Sequence, residues 1–313
     1  MLTFILRRSV SGVILIVAIT VIAFTLLYLG SGNIARSILG QNATNEVVAQ
    51  KTAELGLDRP LPAQFWDWLS SAATGDLGRS WFTGQLVSVQ LSSRLSVTLS
   101  IVIGSIILTA IFSVVLGIVA ARRDGAVDGA IQFLSILGFA IPGFLIALFL
   151  VLLFAINLQW FKATGYIPIT QSFTGWLSSV TLPIIALAIG GVATIAQQVR
   201  GSIIDGLSRD YVRTLRSRGL SSNRVVYKHV LRNAGGPALS LLAVQFVGMI
   251  GGAVIVEQIF ALPGIGSLTV QATAQGDIPV VMGIVVVTAI IAVVVNLLID
   301  LAQAALNPKV RLS

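Results

Sequence analysis

Between residues 95 and 121 the chain reads LSVTLSIVIGSIILTAIFSVVLGIVAA, with no acidic or basic side chain in the run. A helix crosses a hydrocarbon core of about 30 Å in roughly 20 residues, so this stretch is long enough to span a membrane. Working outward, five more uncharged runs meet the same requirement. They are Val10–Gly30, Ala130–Ile156, Val180–Val199, Pro237–Val256 and Val280–Ile299, the last extending past Asp300 towards Leu306. Strands of a membrane barrel would be about 10 residues long and alternate in polarity, so these runs predict helices. The expected fold is an all-α integral membrane protein with six transmembrane helices.

Composition agrees. Of 313 residues, 56% are hydrophobic and only 10% charged, where a soluble domain carries about a quarter charged residues. The mean hydropathy is +0.94. Soluble enzymes and disordered chains are excluded. The absence of cysteine removes a disulfide scaffold, thiolate nucleophiles and thiolate-bound metals. The single histidine, His229, leaves almost no material for a histidine metal or catalytic site, and the sequence predicts neither.

Arg7 and Arg8 precede the first apolar run, as in a signal peptide, but the run exceeds the usual 7–15 residues of such a segment. Ser31-Gly32-Asn33-Ile34-Ala35 is also a poor cleavage site, so a retained helix is expected. The Lys and Arg residues then orient the spans. Arg7, Arg8, Arg122, Arg123, Arg200, Arg209, Arg213, Arg216, Arg218, Arg224, Lys228, Arg232, Lys309 and Arg311 fall on one side. The opposite side has six, five of them between Ser31 and Arg94, with Lys162 alone in a short loop. The positive-inside rule predicts both termini in the cytoplasm. The net charge of +8 reflects this topology, and no nucleic-acid partner is expected.

Three connections carry more than topology. The long outer loop from Ser31 to about Arg94 contains Leu57-Asp58-Arg59-Pro60, Phe65-Trp66-Asp67-Trp68 and Gly75-Asp76-Leu77-Gly78-Arg79-Ser80-Trp81-Phe82. Its aromatic residues among charges suggest amphipathic pieces at headgroup level or a docking surface. The connection from Arg200 to about Gly236 is expected to form two short capped helices. Ser208 suits the first cap, Asp210 its positive first turn, Gly219 the left-handed residue that ends it, and Ser221 or Ser222 the second cap. Tyr211, Val212 and Leu215 form an apolar stripe, which points to a cytoplasmic docking knob rather than a solvated loop. The third connection, Glu257-Gln258-Ile259-Phe260-Ala261-Leu262-Pro263-Gly264-Ile265-Gly266, has no Lys or Arg and is rich in helix breakers. Such backbone is tolerated at membrane depth only when buried in protein or lining a cavity, so it is a candidate outer gate or re-entrant element, with Gly264 and Gly266 supplying the bend.

The middle spans contain no Asp, Glu, Lys or Arg, which disfavours an ion-coupled secondary carrier. No Gly-rich phosphate loop ending in Lys-Ser or Lys-Thr is present. Energy must come from a partner, unless the protein is a passive channel.

The stretches Asp210-Tyr211-Val212-Arg213-Thr214-Leu215-Arg216-Ser217-Arg218-Gly219-Leu220 and Lys228-His229-Val230-Leu231-Arg232-Asn233-Ala234 resemble the EAA-type loop of binding-protein-dependent ABC importers. The closest likeness is to permeases of the dipeptide/oligopeptide/nickel group. Gly251-Gly252-Ala253-Val254-Ile255-Val256-Glu257 with Phe260–Gly266 resembles that group's late outer loop. Leu55–Pro60 and Gly75–Ser80 resemble the long first loop of its B-type subunit, and Asn296–Asp300 with Asn307-Pro308-Lys309-Val310-Arg311 fits its end. The Glu-Ala-Ala positions read Arg213-Thr214-Leu215 here, and the family's Pro-Gly-Asp-Pro element is replaced by Gly30-Ser31-Gly32-Asn33.

The resemblance implies a type I ABC importer permease, organised as an N-terminal transmembrane helix (1–30), an extracytoplasmic segment (31–93), a core permease domain (94–306) with a cytoplasmic coupling loop (200–236), and a cytoplasmic tail (307–313). It implies Asp210, Tyr211, Val212, Arg213, Thr214, Leu215, Arg216, Arg218, Gly219, Leu220 and Ser221 as the ATPase-coupling residues. Glu257, Leu262, Pro263, Gly264, Ile265 and Gly266 form the candidate outer gate. The implied partners are a second homologous permease, two cytoplasmic ATPase subunits or one fused ATPase, and an extracytoplasmic substrate-binding protein. ATP and Mg would be bound by the ATPases and no cofactor by this chain. The implied cargo is di- or oligopeptides, with nickel, glutathione or another small solute as alternatives, in a bacterial or archaeal cytoplasmic membrane.

Overall fold

The computed structural model describes residues 2–30, 34–123 and 125–306. The connection 31–33 and the tail 307–313, which holds the Asn307-Pro308-Lys309-Val310-Arg311 motif, lie outside the described residues. Among those described, regular structure is helical apart from one antiparallel bridge between Arg79 and Leu86. The helices are α1 (Leu2–Leu29), α2 (Ile34–Leu39), α3 (Asn45–Glu54), α4 (Leu61–Ala73), α5 (Val87–Arg122), α6 (Ala126–Ala140), α7 (Gly143–Leu150), α8 (Phe173–Leu207), α9 (Asp210–Ser217), α10 (Ser222–Arg224), α11 (Leu231–Ile259), α12 (Ile265–Gln275) and α13 (Ile278–Leu306). A π-helical turn, Val225–Val230, joins α10 to α11, so Ser222–Ile259 forms one continuous rod.

Five helical rods, α1, α5, α8, α10–α11 and α13, are long and apolar enough to cross a membrane. The expected third span is different. It breaks between Ala140 and Gly143, and its halves, α6 and α7 with the π-helical turn Val151–Asn157, meet at 99°. The cause is local. Pro142 has no N–H to donate, and it forces Ile141 out of the helical region (φ −80°, ψ 123°). Among the described residues the spans thus number five, or six if the broken pair is one.

The residues form two compact units. The first comprises residues 98–262 with 2–5 and 294–306, and α8 is its hub, flanked by α6, α7 and α11. The Ser105 hydroxyl donates to the Ile184 carbonyl at 3.1 Å and Thr109 to that of Ala188 at 3.4 Å, tying α5 to α8. Near the ends of α5, α8 and α11 a core forms from Ile118, Ile195, Val199, Ile203, Val225, Val230 and Ala234.

The second unit comprises the described residues of 6–97 with 263–293. Here Phe24, Ile34, Ile278 and Met282 are buried together, and Phe65, Trp68 and Trp81 pack against them. Tyr28 stacks on Phe24 at 4.1 Å and Phe65 meets it edge-on at 5.1 Å. The aromatic residues expected at headgroup level or on a docking surface are therefore mostly turned inward, leaving Trp66 exposed. Burying a large ring surface outweighs its placement at an interface when helices of the same chain supply the partner surface.

Candidate functional site

The basic connection is shorter than expected. Helix α8 continues to Leu207 and the next rod starts at Ser222, so residues 208–221 alone leave the long helices. Two expectations need correction. Ser208 is not the cap of α9: it is the C-terminal cap of α8, its hydroxyl donating back to the Asp205 carbonyl, and Arg209 holds the extended N-cap position (φ −72°, ψ 146°). The second short helix is instead the first turn of the rod that runs to Ile259, with Ser221 before it.

Gly219 takes the predicted left-handed conformation, with φ at +82°. Its N–H donates to the Arg216 carbonyl at 2.9 Å, and the Leu220 N–H donates to the Leu215 carbonyl at 3.2 Å. That pair of bonds is a Schellman motif, which usually brings the flanking apolar side chains together. Leu215 and Leu220 both pack on the core of Val199, Ile203, Val225 and Val230, in which Val212 is 1% exposed. The apolar stripe of α9 thus anchors it to the bases of α8 and the following rod. Tyr211 sits at the edge of the stripe, its hydroxyl accepting from Asn233 Nδ2 at 3.4 Å.

The opposite face is polar and open. Asp210 and Arg213 have side chains 98% and 84% exposed, 3.9 Å apart. Arg209, Thr214, Arg216, Arg218 and Ser221 are exposed as well, and Arg224 and Lys228 extend the positive face along the next rod. A knob results, held by an apolar root and presenting arginines outward.

Sequence reasoning missed how the root is braced. Gly206 lets α8 close on the next rod, since a Cβ there would stand 2.6 Å from Val230 Cγ1. Arg122, at the end of α5, donates to Asn223 Oδ1 at 2.5 Å and lies over the Tyr227 ring at 5.8 Å. Arg200 Nε and Nη2 grip both carboxylate oxygens of Asp128 on α6, at 2.6 and 2.5 Å. Arg122 thus ties α5 to the rod beside the knob, and Arg200 ties α6 to α8. The basic residues of this connection pointed to its side of the membrane, but not to these partners.

The candidate gate residues sit in different surroundings. Glu257 is fully buried rather than facing water, and accepts from Thr98 Oγ1 at 2.6 Å. The rod ends after it in a second Schellman motif, Leu262 N–H to Glu257 carbonyl (2.8 Å) and Ala261 N–H to Gln258 carbonyl (3.3 Å). Its left-handed residue is Ala261, at φ +48°, and the Phe260 carbonyl accepts from the Gly165 N–H at 2.9 Å. The bend expected at Gly264 and Gly266 is therefore at Ala261. Leu262 is buried and Pro263 exposed. Gly264, with φ −96° and ψ −175°, is the extended N-cap of α12, and Ile265 and Gly266 are buried in that helix's first turn.

A structural constellation also emerges from the two flanking motifs. Asp277 accepts from the Ser80 hydroxyl at 2.5 Å and from the Trp81 N–H at 3.1 Å, while Ser80 Oγ accepts from the N–H groups of Phe82 and Thr83. Both side chains are buried.

The family described as binding-protein-dependent transport system inner membrane component matches residues 113–312, and its N-terminal counterpart matches residues 1–102. A probable peptide ABC transporter permease protein, y4tP, from Sinorhizobium fredii is 38% identical, covering 98% of this chain and 99% of its own. The oligopeptide transport system permease protein AppB from Bacillus subtilis is 32% identical, with 99% of each chain covered. Among solved structures, a chain of the inward-facing MetNI methionine ABC transporter superposes with a TM-score of 0.56 over 70% of this chain and 97% of its own, at 14% identity. At that identity the likeness speaks for the fold.

Proposed function

This chain belongs to the family of binding-protein-dependent transport system inner membrane components, and from that premise we propose that it is the pore-forming permease subunit of an ATP-driven peptide importer. The observation that carries the cargo is the end-to-end similarity to permeases named for peptide and oligopeptide transport. A second, homologous permease completes the pore. Two ATPase subunits, or one fused ATPase, bind ATP and Mg, and an extracytoplasmic binding protein delivers the peptide.

The knob supports the energetic half of this reading. A rigid α9 with an apolar root and an arginine face is suited to an acidic cleft on an ATPase, and residues 210–221 would be the contact. When the ATPases close, displacement of α9 passes through Val212, Leu215 and Leu220 into α8 and the Ser222–Ile259 rod, because packed side chains transmit movement rather than absorb it. The spans rearrange, the cavity opens to the outside, and hydrolysis resets it. The excess of Lys and Arg on the knob's side supports placing the knob and both termini in the cytoplasm of a bacterium or archaeon, with residues 31–93 outside. A cysteine at Ser217 labelled only from the cytoplasm, and one at Ser71 only from outside, is the expected pattern; the reverse would overturn the orientation. The segment Glu257–Gly266 is proposed as part of the outer gate. Crosslinks from the exposed position, Pro263→Cys, to the partner permease that form equally with and without trapped ATP would make it a fixed turn.

Reconstitution with two ATPases, a second permease and a binding protein from the same organism tests the function. Uptake of a casein tryptic digest into proteoliposomes that needs ATP is the expected result. Uptake of nickel or glutathione but no peptide would overturn the cargo, and uptake without ATP would overturn the class.

A further inference from the structure

We infer that the side-chain amide of Gln245 is a substrate-facing group in the wall of the translocation path, where it pairs with peptide backbone. The inference rests on the permease reading above and names a residue that acts within it.

Gln245 lies well inside the apolar run Pro237–Val256, far from either end. The hydroxyls within the spans are satisfied at home: Ser105, Thr109, Ser135 and Thr194 each donate to a backbone carbonyl, and Ser240 accepts from Gln303 Nε2 at 3.0 Å. Among the described residues, the Gln245 amide makes no hydrogen bond. Gln197 shares that property but sits two residues from the end of its run, within reach of water. An amide carries two donors and two acceptor lone pairs, and leaving it against hydrocarbon costs several kcal/mol. Its place calls for a polar partner at mid-depth, from outside the described residues.

The structure also holds it there. Gly191 of α8 leaves the room the side chain occupies, for a Cβ at 191 would stand 3.1 Å from both Cγ and Nε2 of Gln245. The amide lies on the wall of an open groove of about 390 Å³, shared with Pro142, Gly143, Gly190, Thr194 and Gly252. The break at Pro142 turns α7 away from α6 and so opens this groove. Phe139, Ile141, Phe144, Leu187 and Ile255 make most of the remaining lining apolar, and a single amide on such a wall suits an extended peptide, because an amide can donate to a peptide carbonyl and accept from a peptide N–H whatever the side chains are. Such a group recognises peptides as a class without selecting among sequences.

The chain has no cysteine, so a single replacement gives one probe on this chain, read above the labelling of the importer without the replacement. Gln245→Cys should react with a charged, membrane-impermeant thiosulfonate at least about tenfold faster than Ile14→Cys, an exposed apolar position within the uncharged run of α1. Equal, slow labelling of both would overturn the inference and place the amide against the partner permease or lipid. In ATP-driven uptake of the casein digest, Gln245→Leu should raise KM about three- to tenfold, the loss of a net hydrogen bond or two. Gln245→Asn, which keeps the amide, should move KM less. Unchanged KM in Gln245→Leu would also overturn it. If the native assembly imports no peptide, the cargo reading fails on its own, and the labelling comparison still decides whether Gln245 meets water.

Discussion

Replacing Gly219 isolates what the knob's turn contributes, because nothing but backbone geometry opposes a side chain there. The φ of +82° is left-handed, and a Cβ at this position would find no atom within 4 Å. Gly219→Ala should therefore cost about 1 kcal/mol from torsion alone, and Gly219→Asn less, since Asn enters this region more readily. Valine is a different case, as β-branched residues are outliers at positive φ. To escape, the chain would open the Schellman motif and lose the bonds from Gly219 to Arg216 and from Leu220 to Leu215, and Leu220 would leave its apolar seat. Two hydrogen bonds at about 1 kcal/mol each and part of a leucine's burial at about 1 kcal/mol give a local loss of about 3 kcal/mol. Val212, deep in the same core, keeps α9 attached, so the protein stays folded while the arginine face swings. In proteoliposomes, peptide imported per ATP hydrolysed should be near native for Asn, mildly reduced for Ala, and lower by at least about tenfold for Val, the factor that 1.4 kcal/mol sets. A well-assembled Gly219→Val importer with a native ratio would refute the reasoning that α9 transmits the ATPase movement.

Two other substitutions probe the structure directly. Asp277→Ala removes the acceptor for Ser80 Oγ and Trp81 N–H, bonds to a charged group worth about 1.5–3 kcal/mol each before the relief of desolvation; a net loss of about 3 kcal/mol is expected, read as faster amide exchange at Trp81, Phe82 and Thr83, and native protection there would contradict it. Ala261→Gly relieves a left-handed alanine and should stabilise the purified protein by about 1 kcal/mol, seen as a higher melting temperature; a lower one would show that the turn needs the methyl group.

The apolar runs were legible along the chain because partition into hydrocarbon is a sum over neighbouring residues, and each helix meets its own backbone hydrogen bonds. Gly219 was legible for a similar reason: a positive φ selects glycine locally. The break at Ile141-Pro142 was also local in cause, yet a hydropathy sum passes over it, since proline's missing donor adds nothing to apolarity. Ser208 has the chemistry of a cap, but α8 reaches it first and Arg209 takes the position, because packing on Val230 and Val225 extends α8 to Leu207. At the other turn no glycine announces Ala261, whose strained φ is held by the bonds around Leu262 and by the Phe260 carbonyl's bond to Gly165. The partners of Asp277, Glu257 and Arg200 lie between 72 and 197 residues away in the chain. Nothing in a local window can pair them. The sequence by itself determined which segments leave water and where the basic knob turns. The tertiary structure decided which polar groups meet, and which, like Gln245, remain unmet, because a buried hydrogen bond depends on two segments arriving at the same place.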